Sequence, residues 1–247
     1  MKILLLDLET APNLVHVWGL WQQNVGLPQI LTSGYTLCWA AKWHGEKKVM
    51  FDSIHQSSSE KMLFGLHDLL GTADAVVHYN GTKFDIPTIQ KEFVLNHMAP
   101  PAPYKQIDLL QVARKEFRFP SNKLDYVVQA LGVGKKIRHA GHELWIACMN
   151  GDDKAWKEME NYNKNDVIIL EKLYDRLLPW IKTHPNYGLY NGGKVVCVNC
   201  GGHHLQRRGF AFTNALKYQR WQCQDCGNWQ RSIKPETGIK RVLANIL

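Results

Sequence analysis

Four acidic residues and a tyrosine hold the chemistry most readily drawn from this sequence: Asp7 and Glu9, then Asp85, then Tyr162 with Asp166. Carboxylates from several elements can hold two divalent ions a few Å apart, and such a pair activates a water, clamps a phosphate and stabilises a departing oxygen. Mg²⁺ and similar hard ions take oxygen ligands, so the residue types suit that task. The set works only if the elements bearing it converge.

Ile3-Leu4-Leu5-Leu6-Asp7-Leu8-Glu9 is a short continuous apolar run, the pattern of a strand buried on both faces, and is too short to span a membrane. Strand alternation puts Asp7 and Glu9 on one face at the end of the run, where open α/β sheets place their ligands. The two charges repel unless solvent screens them or a cation lies between them. An ordinary strand end entering water is the competing reading. Ala75-Val76-Val77-His78-Tyr79 predicts a second buried strand that breaks at Asn80-Gly81, with Asp85 at the start of a helix. Asp85 with Pro87 two positions on also suits an N-cap that needs no metal, and Asn80-Gly81 is a hairpin signal. In the third segment Asp166 shares a helical stripe with Ile169, Leu170, Leu173 and Leu177. A carboxylate there is costly to bury and a poor helix former, and a bound cation would compensate it. Tyr162 lies one turn earlier on the same face, where either its hydroxyl reaches the same locus or, with Asp166 at the edge of the stripe, its ring packs as core.

Asp-x-Glu in a first strand, Asn-x-x-x-Phe-Asp at a strand-to-helix junction and Tyr-x-x-x-Asp in a late helix together resemble the DEDD exonucleases of the ribonuclease H-like superfamily. The resemblance is to the tyrosine branch, which includes the proofreading domains of family B DNA polymerases. The sister branch has a histidine five positions before the last aspartate, where this chain has Asn161. The similarity spans roughly residues 1 to 182, and Lys123-Leu124-Asp125-Tyr126-Val127 with Leu131-Gly132 looks like the family's helix before its third motif. It implies that Asp7 bridges two Mg²⁺ or Mn²⁺ ions, that Glu9 and Asp166 complete the ion on the nucleophile side, and that Asp85 holds the second through water. Tyr162 would orient the attacking water, since a phenol of pKa ~10 is a poor base at neutral pH. Hydrolysis from the 3′ end is implied by the family alone. Thr10, Asn80 and Phe84 stand where the family touches the terminal nucleotide, against a plainer role in packing and turn formation.

Beyond Leu178-Pro179-Trp180-Ile181 comes a cluster of breakers, Thr183-His184-Pro185-Asn186-Tyr187-Gly188 and Asn191-Gly192-Gly193, which predicts a linker over residues 183–194. Cys197-x-x-Cys200 and Cys223-x-x-Cys226 follow, the ligand spacing of a zinc ribbon whose small core needs its ion to fold. His203 and His204 are spare ligand types, and Cys38 and Cys148 read as buried apolar residues. With no secretory signal in view, a reducing cytoplasm disfavours disulfides as the alternative pairing. Residues 1–182 are nearly neutral at net +1, whereas 183–247 hold nine Lys and Arg against two acids, net +7. Arg207, Arg208, Lys217, Arg220 and Arg231 alternate with Phe210, Phe212, Tyr218, Trp221 and Trp229. Phosphate attraction and flat rings for base stacking would make the ribbon a nucleic-acid contact that delivers ends to the catalytic unit. In the competing reading the rings form its small core and the cations keep it soluble.

Within the body, Thr36–Trp43 and Lys47–Phe51 around His44-Gly45-Glu46 predict a hairpin beside the first strand, and Ser57-x-x-Glu60 opens a helix. The expected class is α/β: a ribonuclease H-like mixed sheet flanked by helices over 1–182, plus a small all-β zinc ribbon with a basic tail over 195–247. Residues 13–34, with Trp18 and Trp21, read either as a loop over the cleft or as a packed insertion. Lys135-Lys136-Ile137-Arg138-His139 reads as a basic turn, solvated or touching substrate backbone. The leading expectation is a stand-alone, metal-dependent 3′-to-5′ exonuclease acting on single-stranded DNA ends, with replication or repair proteins as candidate partners and no membrane association. An RNA-trimming exonuclease is the alternative, and a nucleic-acid-binding protein on an inactive nuclease fold is the alternative of another class.

Overall fold

The computed structural model describes residues 1–237; the end of the basic tail, residues 238–247, lies outside the described residues. The backbone divides into two compact units, one of residues 2–174 and one of Met1 with the chain from Asp175 onward.

In chain order the first unit runs through β1 (Ile3–Thr10), a short pair β2 (Leu14–Val15) and β3 (Ile30–Thr32), β4 (Thr36–Trp43), β5 (Val49–Ser53) and helix α1 (Ser59–Thr72). It continues through β6 (Ala75–His78), α2 (Asp85–Leu95), β7 (Lys105–Asp108), α3 (Leu109–Glu116), α4 (Leu124–Ala130), α5 (His142–Met149) and α6 (Asp153–Leu177), whose last three residues are counted with the second unit. The apolar run at the N-terminus becomes the middle strand of a five-stranded sheet in the order β5-β4-β1-β6-β7. β4 and β5 form the antiparallel hairpin read from the sequence, while β6 and β7 run parallel to β1. A parallel strand must be covered on both faces, which explains why all four residues of β6 are buried. Strand alternation divides β1 between two cores. Leu4, Leu6 and Leu8 pack with Met62, Leu66, Ile89 and Phe93 of α1 and α2. The opposite face, which carries Asp7 and Glu9, is covered by a cluster that includes Leu144, Cys148, Trp156, Met159 and Tyr162 of α5 and α6.

Two local expectations need correction or refinement. The cap of α1 is Ser58, one residue later than the Ser57 read from the sequence, and its hydroxyl accepts from the Lys61 amide at 3.2 Å. Residues 13–34 are not a packed insertion: Trp18 is 100% and Trp21 85% exposed.

The second unit contains an antiparallel sheet of β8 (Leu205–Phe212), β9 (Lys217–Cys223) and β10 (Trp229–Arg231), with β9 in the middle. Its buried apolar residues beyond the helical segment are few, chiefly Val196, Cys197, Tyr218 and Cys223. The mixed α/β architecture with an all-β appendage is the class the sequence predicts. Among the described residues, no helix is long and apolar enough to cross a membrane.

Candidate active site

Asp7 and Glu9 project from the end of β1 toward α6, and α6 answers with Asp166. One oxygen from each of these three carboxylates lies within 4.8 Å of the others, although 157 positions separate Glu9 from Asp166 in the chain. The helical stripe is deep and Asp166 is not at its rim: Ile169, Leu170, Leu173 and Leu177 are all buried, and Asp166 itself is only 1% exposed. Both Asp166 oxygens lack an aligned hydrogen-bond donor. Lys136 Nζ stands 2.5 Å from Oδ2 as an ion pair whose angles fall short of a hydrogen bond. Tyr162 combines the two roles left open for it. Its ring packs edge-on against His139 and Trp145, with centroids 4.7 and 6.0 Å away, while its hydroxyl accepts from Lys136 Nζ at 3.1 Å.

Asp85 reaches the site differently. It is the first residue of α2, but Phe84 occupies the N-cap position without a side-chain cap. The Asp85 carboxylate turns instead to β1, where Oδ1 accepts the Leu8 amide at 3.2 Å. Simple capping therefore does not account for it. Asp85 stands outside the 4.8 Å cluster, yet its charge acts on both Asp7 and Glu9. The turn before it is tightly specified. Asn80 has φ +69°, its amide donates to Asp108 Oδ1 at 2.9 Å, and a Cβ on Gly81 would meet His78 Cγ at 2.4 Å. Only glycine fits that approach. Phe84 is half-exposed at this turn, and Thr10 ends β1 one residue beyond Glu9.

These contacts leave the cluster electrostatically frustrated. Burial, then the charges of Asp166, Glu9 and Asp85, hold Asp7 well above the usual carboxylate range. Burial pushes Glu9 up to about 8 and Asp85 up to about 6. Asp166 is raised by burial against the opposing pull of Lys136. A divalent cation relieves all of these at once, and Asp166, ion-paired to Lys136 but with no aligned hydrogen bond, keeps acceptor capacity, so the residues present fit divalent ions held by Asp7, Glu9 and Asp166.

A pH dependence follows. A carboxyl whose pKa is higher in the folded chain than in the unfolded one binds more protons when folded, so stability falls as pH rises between the two values. For Glu9 that window runs from 4.5 to about 8. In EDTA the melting temperature should fall across it, and Mg²⁺ or Mn²⁺ should restore stability most at the alkaline end. A melting temperature that climbs steadily with pH in EDTA would contradict the electrostatics.

Two residues of the site escaped sequence reasoning. Asn163 is fully buried and donates from Nδ2 to Asp7 Oδ2 at 2.7 Å, fixing that carboxylate. Its position beside Tyr162 and one turn before Asp166 was the available signal. Lys136, read as part of a basic turn that is solvated or touches substrate backbone, inserts its ammonium beside Asp166 and Tyr162. Nothing in Lys-Lys-Ile-Arg-His distinguishes which cation turns inward.

In the second unit Cys197, Cys200, Cys223 and Cys226 offer four sulfurs within 4.8 Å of one another, and none forms a disulfide. The Cys197–Cys226 and Cys200–Cys223 sulfurs are 3.6 and 3.7 Å apart. Four thiolates ~2.3 Å from a tetrahedral ion stand about 3.8 Å apart, so the set fits a zinc ribbon. His204 is engaged elsewhere, at 2.6 Å from Asp225 Oδ1. The cations named from the sequence divide between the two faces of the sheet. Arg207, paired across strands with Trp221, shares a face with Lys217 and Phe210. Arg220, paired with Arg231, shares the other with Tyr218 and Trp229, while Arg208 falls in the irregularity between Arg207 and Phe210. Four of the five rings carry a cation: Arg207 over Trp221 at 5.1 Å, Lys217 over Phe210 at 3.6 Å, Arg220 over Trp229 at 5.0 Å and Arg231 over Tyr218 at 3.7 Å.

A mixed five-stranded sheet with helices on both faces and carboxylates gathered at the end of its middle strand defines a ribonuclease H-like fold. The family model of the RNase_H superfamily matches residues 32–178, and the chain belongs to that superfamily. The match begins after Asp7 and Glu9, so the first strand's place in the site rests on the geometry above. Among solved structures, a family B DNA polymerase from the hyperthermophilic archaeon Pyrobaculum calidifontis superposes with a TM-score of 0.56 at 17% identity, covering 72% of this chain. The aligned part is 24% of that polymerase, so this chain corresponds to about a quarter of its length. No curated protein matches the sequence. Superfamily membership supports a nuclease-type function, that of a hydrolase acting on nucleic acids.

Proposed function

We propose that this protein is a metal-dependent 3′-to-5′ exonuclease of the tyrosine-branch DEDD type, acting on DNA ends, with the nuclease module over residues 1–182 and a zinc ribbon over 195–247. One observation carries the reading: Asp166 is buried on an apolar helix face with both oxygens lacking an aligned donor, within 4.8 Å of Asp7 and Glu9. Two Mg²⁺ or Mn²⁺ ions held by Asp7, Glu9, Asp85 and Asp166 would supply Lewis-acid activation of water and stabilisation of the leaving oxygen. Asn163 keeps Asp7 in its orientation. Tyr162, its ring fixed by His139 and Trp145 and its pKa raised by burial, stays protonated and orients water through its hydroxyl. In the reaction, water oxygen adds to the terminal phosphorus and the bond to the preceding 3′ oxygen breaks. That oxygen takes up a proton, and a nucleoside 5′-monophosphate leaves. Thr10, Asn80 and Phe84 are the proposed contacts to the terminal nucleotide.

DNA is proposed from the likeness to polymerase proofreading domains, with an RNA 3′-exonuclease as the alternative, because nothing at the site distinguishes a 2′-hydroxyl. For the strand behind the terminal nucleotide, two adjoining clefts offer a basic path. Lys135, Lys136 and Arg138 line one, Lys154, Lys157 and Lys164 the other, and Ile137 and Asn165 line both. Replacing Lys154 and Lys157 together by Glu should raise KM about tenfold, with kcat kept and salt dependence reduced. The ribbon would add a tethered second contact through Arg207, Arg208, Lys217, Arg220 and Trp221. Deleting residues 190–247 should weaken binding and flatten its salt dependence; unchanged affinity would remove the ribbon from substrate binding. Digestion of 3′- and 5′-labelled single-stranded DNA, duplex DNA and RNA with Mg²⁺ or Mn²⁺ tests polarity and substrate together. Release of mononucleotides from 3′ ends supports the proposal, and absence of hydrolysis on every substrate would favour a binding protein on an inactive nuclease fold. Replication or repair proteins are the partners such an activity would serve.

A further inference from the structure

Among the described residues, Lys136 is the lysine placed among the site carboxylates, and the mechanism above gives it no task. Its Nζ lies 2.5 Å from Asp166 Oδ2, 3.1 Å from the Tyr162 hydroxyl and 5.2 Å from the centre of the Tyr162 ring. It also feels the charge of Asp7. Its backbone is held apart from this task, because the Lys136 amide donates to Asp125 Oδ1 at 3.1 Å. The side chain reaches the cluster on a flexible four-carbon stem, and the same residue lines the open cleft shared with Lys135, Arg138 and Asn165. The ammonium therefore has an inner position against the carboxylates and open space beside it.

We propose that Lys136 is a built-in counter-ion: its ammonium holds the cation locus beside Asp166 and Tyr162 until divalent ions arrive, and turns out into the cleft when they bind. The inference rests on the metal-centre reading above. An ammonium at ion-pair distance from Asp166 covers an acceptor that a divalent ion needs, and two like charges cannot share that space without strong repulsion. Lysine and metal are then competitors for one set of oxygens, and each weakens the other by the same factor.

Calorimetric titration of the full chain of residues 1–247 with Mn²⁺, without nucleic acid, reads this competition directly. Lys136→Met, which keeps the apolar stem and removes the charge, should bind Mn²⁺ roughly tenfold more tightly than the unsubstituted protein. Lys136→Arg should stay within about twofold of it, since a cation remains in place. A second measurement needs no variant. Acylation of the native protein's amines, followed by mass spectrometry, should modify Lys136 several-fold faster when Mn²⁺ replaces EDTA, with exposed Lys48 as the unchanged reference. Equal or weaker Mn²⁺ binding by Lys136→Met, or Lys136 acylation indifferent to Mn²⁺, overturns the counter-ion role while leaving the metal centre intact. If the unsubstituted protein binds no Mn²⁺ at this site, both the counter-ion and the metal centre are overturned. Should Lys136→Met fail to fold, the acylation rates alone decide.

Discussion

Asp166→Asn should abolish phosphodiester hydrolysis, with a loss on the order of 10³-fold or more, while leaving a folded protein. The substitution changes one oxygen to an amide nitrogen and keeps the volume, so the stripe of Ile169, Leu170 and Leu173 should pack as before. It also removes a charge that burial disfavours more than Lys136 offsets, as the raised pKa of Asp166 indicates. The melting temperature in EDTA should therefore be no lower than that of the unsubstituted protein. Activity would be lost while metal-free stability is kept or gained, as expected where a site holds strained charge for function. Single-turnover assays with Mg²⁺ and Mn²⁺, beside melting curves in EDTA, check both halves. Full activity in Asp166→Asn would refute the site assignment, and gross unfolding would make Asp166 a structural residue.

The second large effect concerns the cysteines. With Val196, Cys197, Tyr218 and Cys223 as its main buried residues, the ribbon has too little apolar surface to hold three short strands without a crosslink. No disulfide supplies one. A structural zinc ion in such a site contributes ~10–16 kcal/mol of apparent binding energy at neutral pH, and that energy is folding energy. Cys223→Ser, or chelation of the native protein, should unfold the ribbon as a unit and expose residues 195–231 to protease and to rapid amide exchange. The unit of residues 2–174 has its own cores and should retain its protection. Inductively coupled plasma mass spectrometry should find about one zinc per native chain and none in Cys223→Ser. A ribbon that keeps its exchange protection after chelation would show that its sheet and cation–π pairs suffice alone.

Much of this molecule is legible in its sequence because burial leaves a periodic trace. The continuous apolar run before Asp7 marked the central strand, and the i, i+3, i+4 stripe through Ile169 and Leu173 marked the face on which Asp166 lies buried. Their convergence is a tertiary fact that no local pattern encodes; only the joint spacing of the motifs suggested it, through likeness to a known family. Lys136 shows where local reading stops. Its neighbours Lys135 and Arg138 are chemically equivalent in sequence, and only the fold selects one of them to face Asp166. Asn163 was hidden for a related reason, since an asparagine on a helix ordinarily reads as solvent-facing. Trp18 and Trp21 are a different case: their segment reads equally as a loop or a packed insertion, and both rings stand in solvent on a loop.

Catalysis of this kind requires divalent ions lodged among Asp7, Glu9 and Asp166, and anomalous diffraction from crystals grown with Mn²⁺ observes them directly. Such binding predicts anomalous peaks within about 2.5 Å of oxygens from all three carboxylates, with a second peak on the side of Asp85. Anomalous density confined to the cysteine cluster, with Lys136 still seated against Asp166 at saturating Mn²⁺, would contradict it.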